Sequence, residues 1–356
     1  MLKAVYSKYL LDFKEPGGTS RGVLTRKETW FIKISDTDRP GIYGLGECAV
    51  FRGLSADDRP GFEDKLRNVC RNIHRQDIDS DLQEWSAIRF GVEMALADLK
   101  QGGRGVLFPS VFTEGKGEIQ INGLIWMGDK ATMQQRIAEK LKAGFHCIKL
   151  KIGAIDFEAE LALLKAIRAT YNSQDIELRV DANGAFTPGD AMHKLEQLAC
   201  FDLHSIEQPI RQGQWDDMKC LCRNTPVPIA LDEELIGIYD LKTKAEMLDH
   251  IRPQYIILKP ALAGGFRGAE EWITLAQQQN TGWWITSALE SNVGLNALAQ
   301  WTYTQHSAMP QGLGTGQVYT NNTPSPLNLQ GSALSFRKDF RMEVIKEYMN
   351  SWEWKA

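Results

Sequence analysis

Apolar and polar residues alternate with period two over 2–13, 28–36 and 42–50, as half-buried strands do, and turn-forming segments EPGG (15–18) and DTDRPG (36–41) separate these runs. After Ser86 the period lengthens. Ile88, Val92, Ala95, Leu96 and Leu99 recur at helical spacing, and Gln101-Gly102-Gly103 stops the stripe, as glycine past a helix C-terminus does. This first part reads as an α+β unit, with GLGECA (44–49) turning its sheet.

From about residue 118 the rhythm changes. Short β-rich runs fall at 119–125, 146–151, 177–181, 203–207, 227–232, 254–259, 282–287 and 311–314, most of them separated by amphipathic helical patterns. Asp156 is placed to cap a helix over 156–170 whose Phe157, Leu161, Leu164 and Ile167 share a face; Thr187-Pro188 opens another that runs through Met192, Leu195 and Leu198. Eight strands alternating with helices predict a parallel (β/α) barrel, and periodicity alone leaves a doubly wound sheet as the alternative.

The chain has 356 residues, 43% hydrophobic, enough for a barrel and an accessory unit. Its net charge of −4, with no basic stripe, argues against nucleic acid or an anionic membrane as partner. An anionic substrate must then be drawn by local cations. No stretch approaches the roughly 20 apolar residues of a membrane span, and the N-terminus lacks a signal peptide's apolar core. The six cysteines are scattered, and Cys220-Leu-Cys222 lacks the second pair of a zinc site. Reduced cysteines in the cytoplasm are the expectation.

Five consecutive strand candidates end in charge: KLK (149–151), RVD (179–181), SIE (205–207), ALD (230–232) and ILK (257–259). Asp181, Glu207, Asp232 and Lys259 are separated by 26, 25 and 27 positions, one βα unit each. Equivalent strand ends meet at one mouth of a barrel, where charge is costly unless paired or bound to a metal. Three carboxylates there make an all-oxygen site for Mg²⁺, with Mn²⁺ as alternative. Lys149 and Lys151 point the same way on a strand, so each should depress the other's pKa and make a base usable near neutral pH. Lys259 approaches from the other side. The set predicts removal of the proton next to a carboxylate, by a pairing of lysine base and Mg²⁺ already known from the enolase superfamily.

The ordered set KLK, DAN, IEQP, LDE and LKP resembles the muconate-lactonizing-like branch of the enolase superfamily over nearly the whole chain. The resemblance implies an N-terminal α+β capping domain (1–115, with part of 320–356) and a modified (β/α)7β TIM-type barrel (116–320). It implies Asp181, Glu207 and Asp232 as metal ligands, Lys151 as general acid/base, Lys149 tuning it and Lys259 opposing it. It also implies Asn183 beside the ligands and the substrate, with Glu233 and Arg179 behind. Within the branch, GGTSRGVL (17–24), TSALES (286–291) and GLGTG (312–316) match a lyase of menaquinone biosynthesis that aromatises a hydroxycyclohexadiene carboxylate by syn dehydration. That match implies substrate contacts from Arg21, Ser287, Glu290, Ser291, Gly314 and Thr315. The alternatives are racemisation of N-acylamino acids, epimerisation of dipeptides and, at lower weight, cycloisomerisation. GLGTGQVYTNN holds no acidic pair for a dipeptide amine. The partner expected is a small carboxylate, and a homo-oligomer stays open. None of the glycine-rich pieces has the strand–GxGxxG–helix context of a dinucleotide site, and the six histidines show no metal-binding spacing.

Overall fold

The computed structural model describes residues 1–19, 22–125, 130–153 and 156–356. Strand Leu2–Thr19 pairs antiparallel with Gly22–Asp36, which pairs with Tyr43–Cys48. EPGG is not the hairpin's turn. The register passes from Asp12↔Arg26 to Gly17↔Leu24, so residues 13–16 form a bulge within the first strand. The bulged backbone finds its partner elsewhere: Lys14 N–H donates to the Val318 carbonyl at 2.8 Å. The first strand is thereby tied to residues 318–319.

GLGECA is likewise a strand and not a turn. Its glycines serve close packing against helix Ser86–Lys100. A Cβ on Gly44 would lie 1.8 Å from the Ala95 carbonyl oxygen, and one on Gly46 2.0 Å from that of Gly91.

Among the described residues the main sheet has seven parallel strands: Gly123–Ile125, Cys147–Lys151, Glu177–Asp181, Ser205–Glu207, Ile229–Leu231, Tyr255–Leu258 and Gly282–Ile285, each beside the next in sequence. Bridges Thr286↔Gly312 and Ile121↔Gln311 set residues 311–312 between the last and the first, curling the sheet into a barrel. The expected eighth strand thus shrinks to this pair. The run 119–125 divides: Glu118–Gln120 joins an antiparallel sheet with Ala333–Phe336 and Leu327–Gln330, and only Gly123–Ile125 enters the barrel. The chain's end returns to the N-terminal sheet, where Lys355 bridges Tyr6 and Trp352 stacks on Tyr9 at 4.3 Å.

The barrel helices pack apolar faces (Leu163, Leu164 and Ile167; Leu195 and Leu198; Met247 and Leu248) on strands whose Leu150, Val180, Ile206, Leu231, Leu258 and Ile285 are buried with them. Asp156 caps Phe157–Thr170 as expected. Thr187 and Asp190 form a capping box at Pro188–Leu198. Thr187→Ala should therefore cost about 1 kcal/mol of stability with kcat unchanged, read by urea denaturation; an unshifted midpoint would deny the cap its role. Among the described residues no helix is long and apolar enough to cross a membrane.

Candidate active site

Parallel pairing places Lys151 beside Asp181 and Asp181 beside Glu207 at one height of the barrel. Asp232 and Lys259 each follow the last residue of their strand. The three carboxylates are buried, at 0%, 2% and 2% exposure for Asp181, Glu207 and Asp232. Lys149 Nζ bridges Asp181 Oδ2, at 2.9 Å, and Glu207 Oε2. Lys151 Nζ donates to Asp181 Oδ2 at 2.5 Å and to Asn183 Oδ1 at 2.8 Å. Lys259 Nζ donates to Asp232 Oδ2. Three ammonium groups thus answer three carboxylates.

These contacts reverse one expectation. Burial by itself would pull the Lys149 ammonium down, but Asp181 and Glu207 overcome it and hold its pKa above the ordinary lysine value. The same balance raises Lys259, through burial opposed by Asp232 and then Glu207. Asp181 is held well below the carboxylate range, because Lys149 and Lys151 outweigh its burial. Glu207 is pushed well above that range by burial and by Asp181 beside it.

Asn183 is oriented from two sides. Its backbone sits in the left-handed region (φ 45°), its N–H donates to Asp181 Oδ1 at 3.0 Å, and its Nδ2 donates to Glu233 Oε1 at 3.0 Å. That leaves Oδ1 to face Lys151. Gln208 plays a matching part that the sequence reading missed. Its Oε1 accepts the N–H groups of Asp232 (3.2 Å) and Glu234 (3.3 Å), holding the turn that carries Asp232. An amide directly after the candidate ligand Glu207 was the available signal.

Lys149, Lys151, Lys259 and Asn183 share a cavity of about 280 Å³ with Ser287, Gly314 and Thr315. Ser287 Oγ and Thr315 Oγ1 lie 2.6 Å apart. In GLGTG the Gly312 N–H is already taken by the Ile285 carbonyl at 2.8 Å. The remaining walls went unforeseen: Val23 and Leu24 from the hairpin, Phe51–Leu54 after the third strand, and Leu124 and Leu289. Arg52 is tied there to Glu28 Oε2 (2.7 Å) and Asp58 Oδ1 (2.5 Å).

Three expected site residues take other places. Arg179 lies deeper in the barrel: it donates to Glu177 Oε1 at 2.7 Å and to the Pro310 carbonyl at 3.0 Å, with its guanidinium 4.3 Å over the Trp284 ring. Glu290 and Ser291 are fully buried outside the cavity wall, bonded to the Ala288 N–H and to Glu47. Arg21 lies outside the described residues.

Among the described residues no three His, Cys, Asp or Glu side chains converge, as they stand, into a group that could hold a metal ion. Lys149 bridges two of the candidate carboxylates and Lys259 holds the third. The donor set itself still fits a hard divalent cation: three buried carboxylates on adjacent strand ends, with Glu207 Oε1 fully buried and without a hydrogen-bond partner.

Comparison with known proteins agrees with this arrangement. The model of the enolase C-terminal domain-like family matches residues 132–332. The chain is 49% identical to an o-succinylbenzoate synthase from Desulfotalea psychrophila, over 92% of this chain and 97% of that protein. The crystal structure of MenC from that organism superposes with a TM-score of 0.81 at 46% identity, covering 94% of this chain and 99% of that one. A dipeptide epimerase from Enterococcus faecalis, complexed with Mg and L-Leu-L-Tyr, shares the fold: TM-score 0.79 at 20% identity, over 94% and 97% of the two chains.

Proposed function

The chain belongs to the enolase C-terminal domain-like family, and from that premise we propose that it is an o-succinylbenzoate synthase. As such a lyase it dehydrates 2-succinyl-6-hydroxy-2,4-cyclohexadiene-1-carboxylate to o-succinylbenzoate, in the cytoplasmic synthesis of menaquinone. One observation favours this over the epimerase reading. The described residues lining the cavity include four cations (Lys149, Lys151, Lys259 and Arg52) and no acidic side chain. Such a lining suits a substrate with two carboxylates and offers nothing to a dipeptide's ammonium.

In this reading Lys151, as the free amine, takes the proton from the ring carbon that bears the carboxylate. The electron pair left behind becomes a ring double bond as the neighbouring carbon–oxygen bond breaks. The departing hydroxyl recovers the proton from Lys151 on the same face and leaves as water. Lys259 stays charged across the cavity, countering the charge that builds on the substrate, and Lys149 holds Asp181 and Glu207 in place. Asp181, Glu207 and Asp232 would hold Mg²⁺ or Mn²⁺, with Asn183 and Glu233 behind them. A bound divalent cation supplies charge stabilisation for the ring carboxylate as the proton leaves. Ser287, Gly314 and Thr315 border the substrate, and Arg21 is assigned to its distal carboxylate. The capping unit takes residues 1–115 with part of 320–356, and the barrel 116–320.

Purified protein with Mg²⁺ should consume the diene absorbance of this substrate rapidly. Negligible turnover, together with solvent deuterium appearing at the α-carbon of N-acylamino acids or dipeptides, would move the assignment to a racemase or epimerase on the same site.

A further inference from the structure

The glutamate of GLGECA takes no part in the chemistry above, yet it is fully buried and accepts four hydrogen bonds. Glu47 Oε1 receives Thr29 Oγ1 at 2.8 Å and the Ser291 N–H at 2.9 Å. Oε2 receives Ser291 Oγ at 2.5 Å and the Gly294 N–H at 3.0 Å. Two of these donors are backbone N–H groups at the start of helix Asn292–Thr304, where a carboxylate is favoured. A carboxylate of the N-terminal sheet thus closes the first turn of a barrel helix.

What it joins are two walls of the cavity. Thr29 stands on strand Gly22–Asp36, the strand that carries Val23 and Leu24 to the cavity. Ser291 follows closely on the segment Ser287–Leu289, which forms the facing wall. That segment does not hold its shape unaided. Leu289 lies in the left-handed region (φ 61°), unfavourable for a branched side chain. It is kept there by Ser287 Oγ, which accepts its N–H at 3.1 Å, and by Tyr319 OH, which donates to its carbonyl at 2.7 Å. Its side chain packs with Leu11 and Tyr319, with Leu24 against them. The junction is buried as well: burial lowers the Lys27 ammonium and raises the Glu290 carboxyl to about 7.

We propose that Glu47 is a positioning residue that fixes the hairpin wall (Val23, Leu24) against the barrel wall (Ser287, Leu289) and so sets the fit of the cavity around the substrate's side chain. The inference rests on this cavity being the active site. It concerns the wall away from Lys151 and Asp181, so binding is affected more than chemistry.

The test compares Glu47→Gln, Glu47→Ala and Ser291→Ala with the unaltered protein, in steady-state kinetics on the cyclohexadiene carboxylate and in hydrogen–deuterium exchange. KM should rise about tenfold in Glu47→Ala, and less in Glu47→Gln and Ser291→Ala, with kcat within about threefold. Amides of 286–294 should exchange at least tenfold faster, while those of 147–151 keep their protection. Glu47→Gln keeps one acceptor oxygen and should recover part of both effects. Ser291→Ala removes the hydroxyl's contact with Glu47 and its cap on the Val293 N–H, keeps the other three donors to Glu47, and stays informative where Glu47→Ala fails to fold. A lowered melting temperature with KM and exchange at 286–294 unchanged would reduce Glu47 to a plain structural role and overturn the proposal. A fall in kcat at constant KM would overturn it equally. Should the unaltered protein fail to turn over the substrate, the assigned reaction falls, while exchange at 286–294 still decides whether Glu47 holds the wall.

Discussion

Lys151→Ala is expected to lower kcat on the cyclohexadiene carboxylate by about 10³-fold or more, in the upper half of the range for removing a general acid/base. The effect is large because, in the proposed reaction, one amine acts twice. It takes the ring proton and returns it to the hydroxyl, so no step survives its loss. Lys259 cannot substitute: it follows the sixth barrel strand whereas Lys151 ends the second, so it meets the substrate from the other side of the cavity. Asn183 shares the Lys151 side of the cavity, but an amide takes no proton near neutral pH. The substitution should leave the fold alone. Lys151 is the last residue of its strand and only partly buried, and its removal deletes one hydrogen bond each to Asp181 and Asn183. Activity by diene absorbance and melting temperature should therefore separate, the first collapsing and the second nearly constant. A variant retaining more than about a tenth of the activity would take the base assignment from Lys151.

The strand ends were legible because period and charge coincide there. A buried parallel strand that ends in Asp, Glu or Lys, repeated every 25–27 positions, has few explanations other than a shared mouth. Depth along the barrel was not legible. Arg179 and Asp181 point the same way, as residues two apart on a strand must, but Arg179 reaches down to Glu177 and Pro310 while Lys149, its ladder partner, reaches up to Glu207. Strand parity gives the face and leaves the layer open. Glycine was ambiguous in the same manner. In EPGG the glycines resume strand pairing just past a bulge and in GLGECA they allow a close helix contact, and both uses look like turns in one dimension. Glu290 and Ser291 were misplaced because Leu289 bends the chain after Ser287, a bend sustained from far along the sequence by Tyr319, which donates to the Leu289 carbonyl, and by Glu47, which accepts the Ser291 N–H. The apolar walls from Val23, Leu24 and Phe51 are long-range in the same sense. No local pattern in the hairpin says which end of the barrel it covers.

Removing divalent cations with EDTA is expected to abolish turnover, and added Mg²⁺ or Mn²⁺ to restore it. The reason lies in the charge arrangement. Asp181, Glu207 and Asp232 are buried together, and Glu207 is pushed above the carboxylate range by burial and by Asp181. Their compensation here comes from Lys149, Lys151 and Lys259, two of which the proposed chemistry needs for the substrate. A dication held by the three carboxylates would supply the same compensation, leaving Lys151 and Lys259 to face the cavity. Glu207→Gln separates this account from a general need for ionic strength. Because the amide keeps the shape of Glu207 and an acceptor oxygen for Lys149, and removes the crowding against Asp181 that pushes the carboxyl up, it should cost the cation-free fold little, and its melting temperature should stay near that of the parent. The parent should gain about 2.7 kcal/mol of stability at Mg²⁺ a hundredfold above its Kd, whereas Glu207→Gln, one ligand short, should show almost none of that gain at the same concentration. Undiminished turnover in EDTA would remove the metal from the mechanism. An Mg²⁺ response in Glu207→Gln equal to the parent's would place the cation on other residues and leave the three carboxylates as partners of the lysines alone.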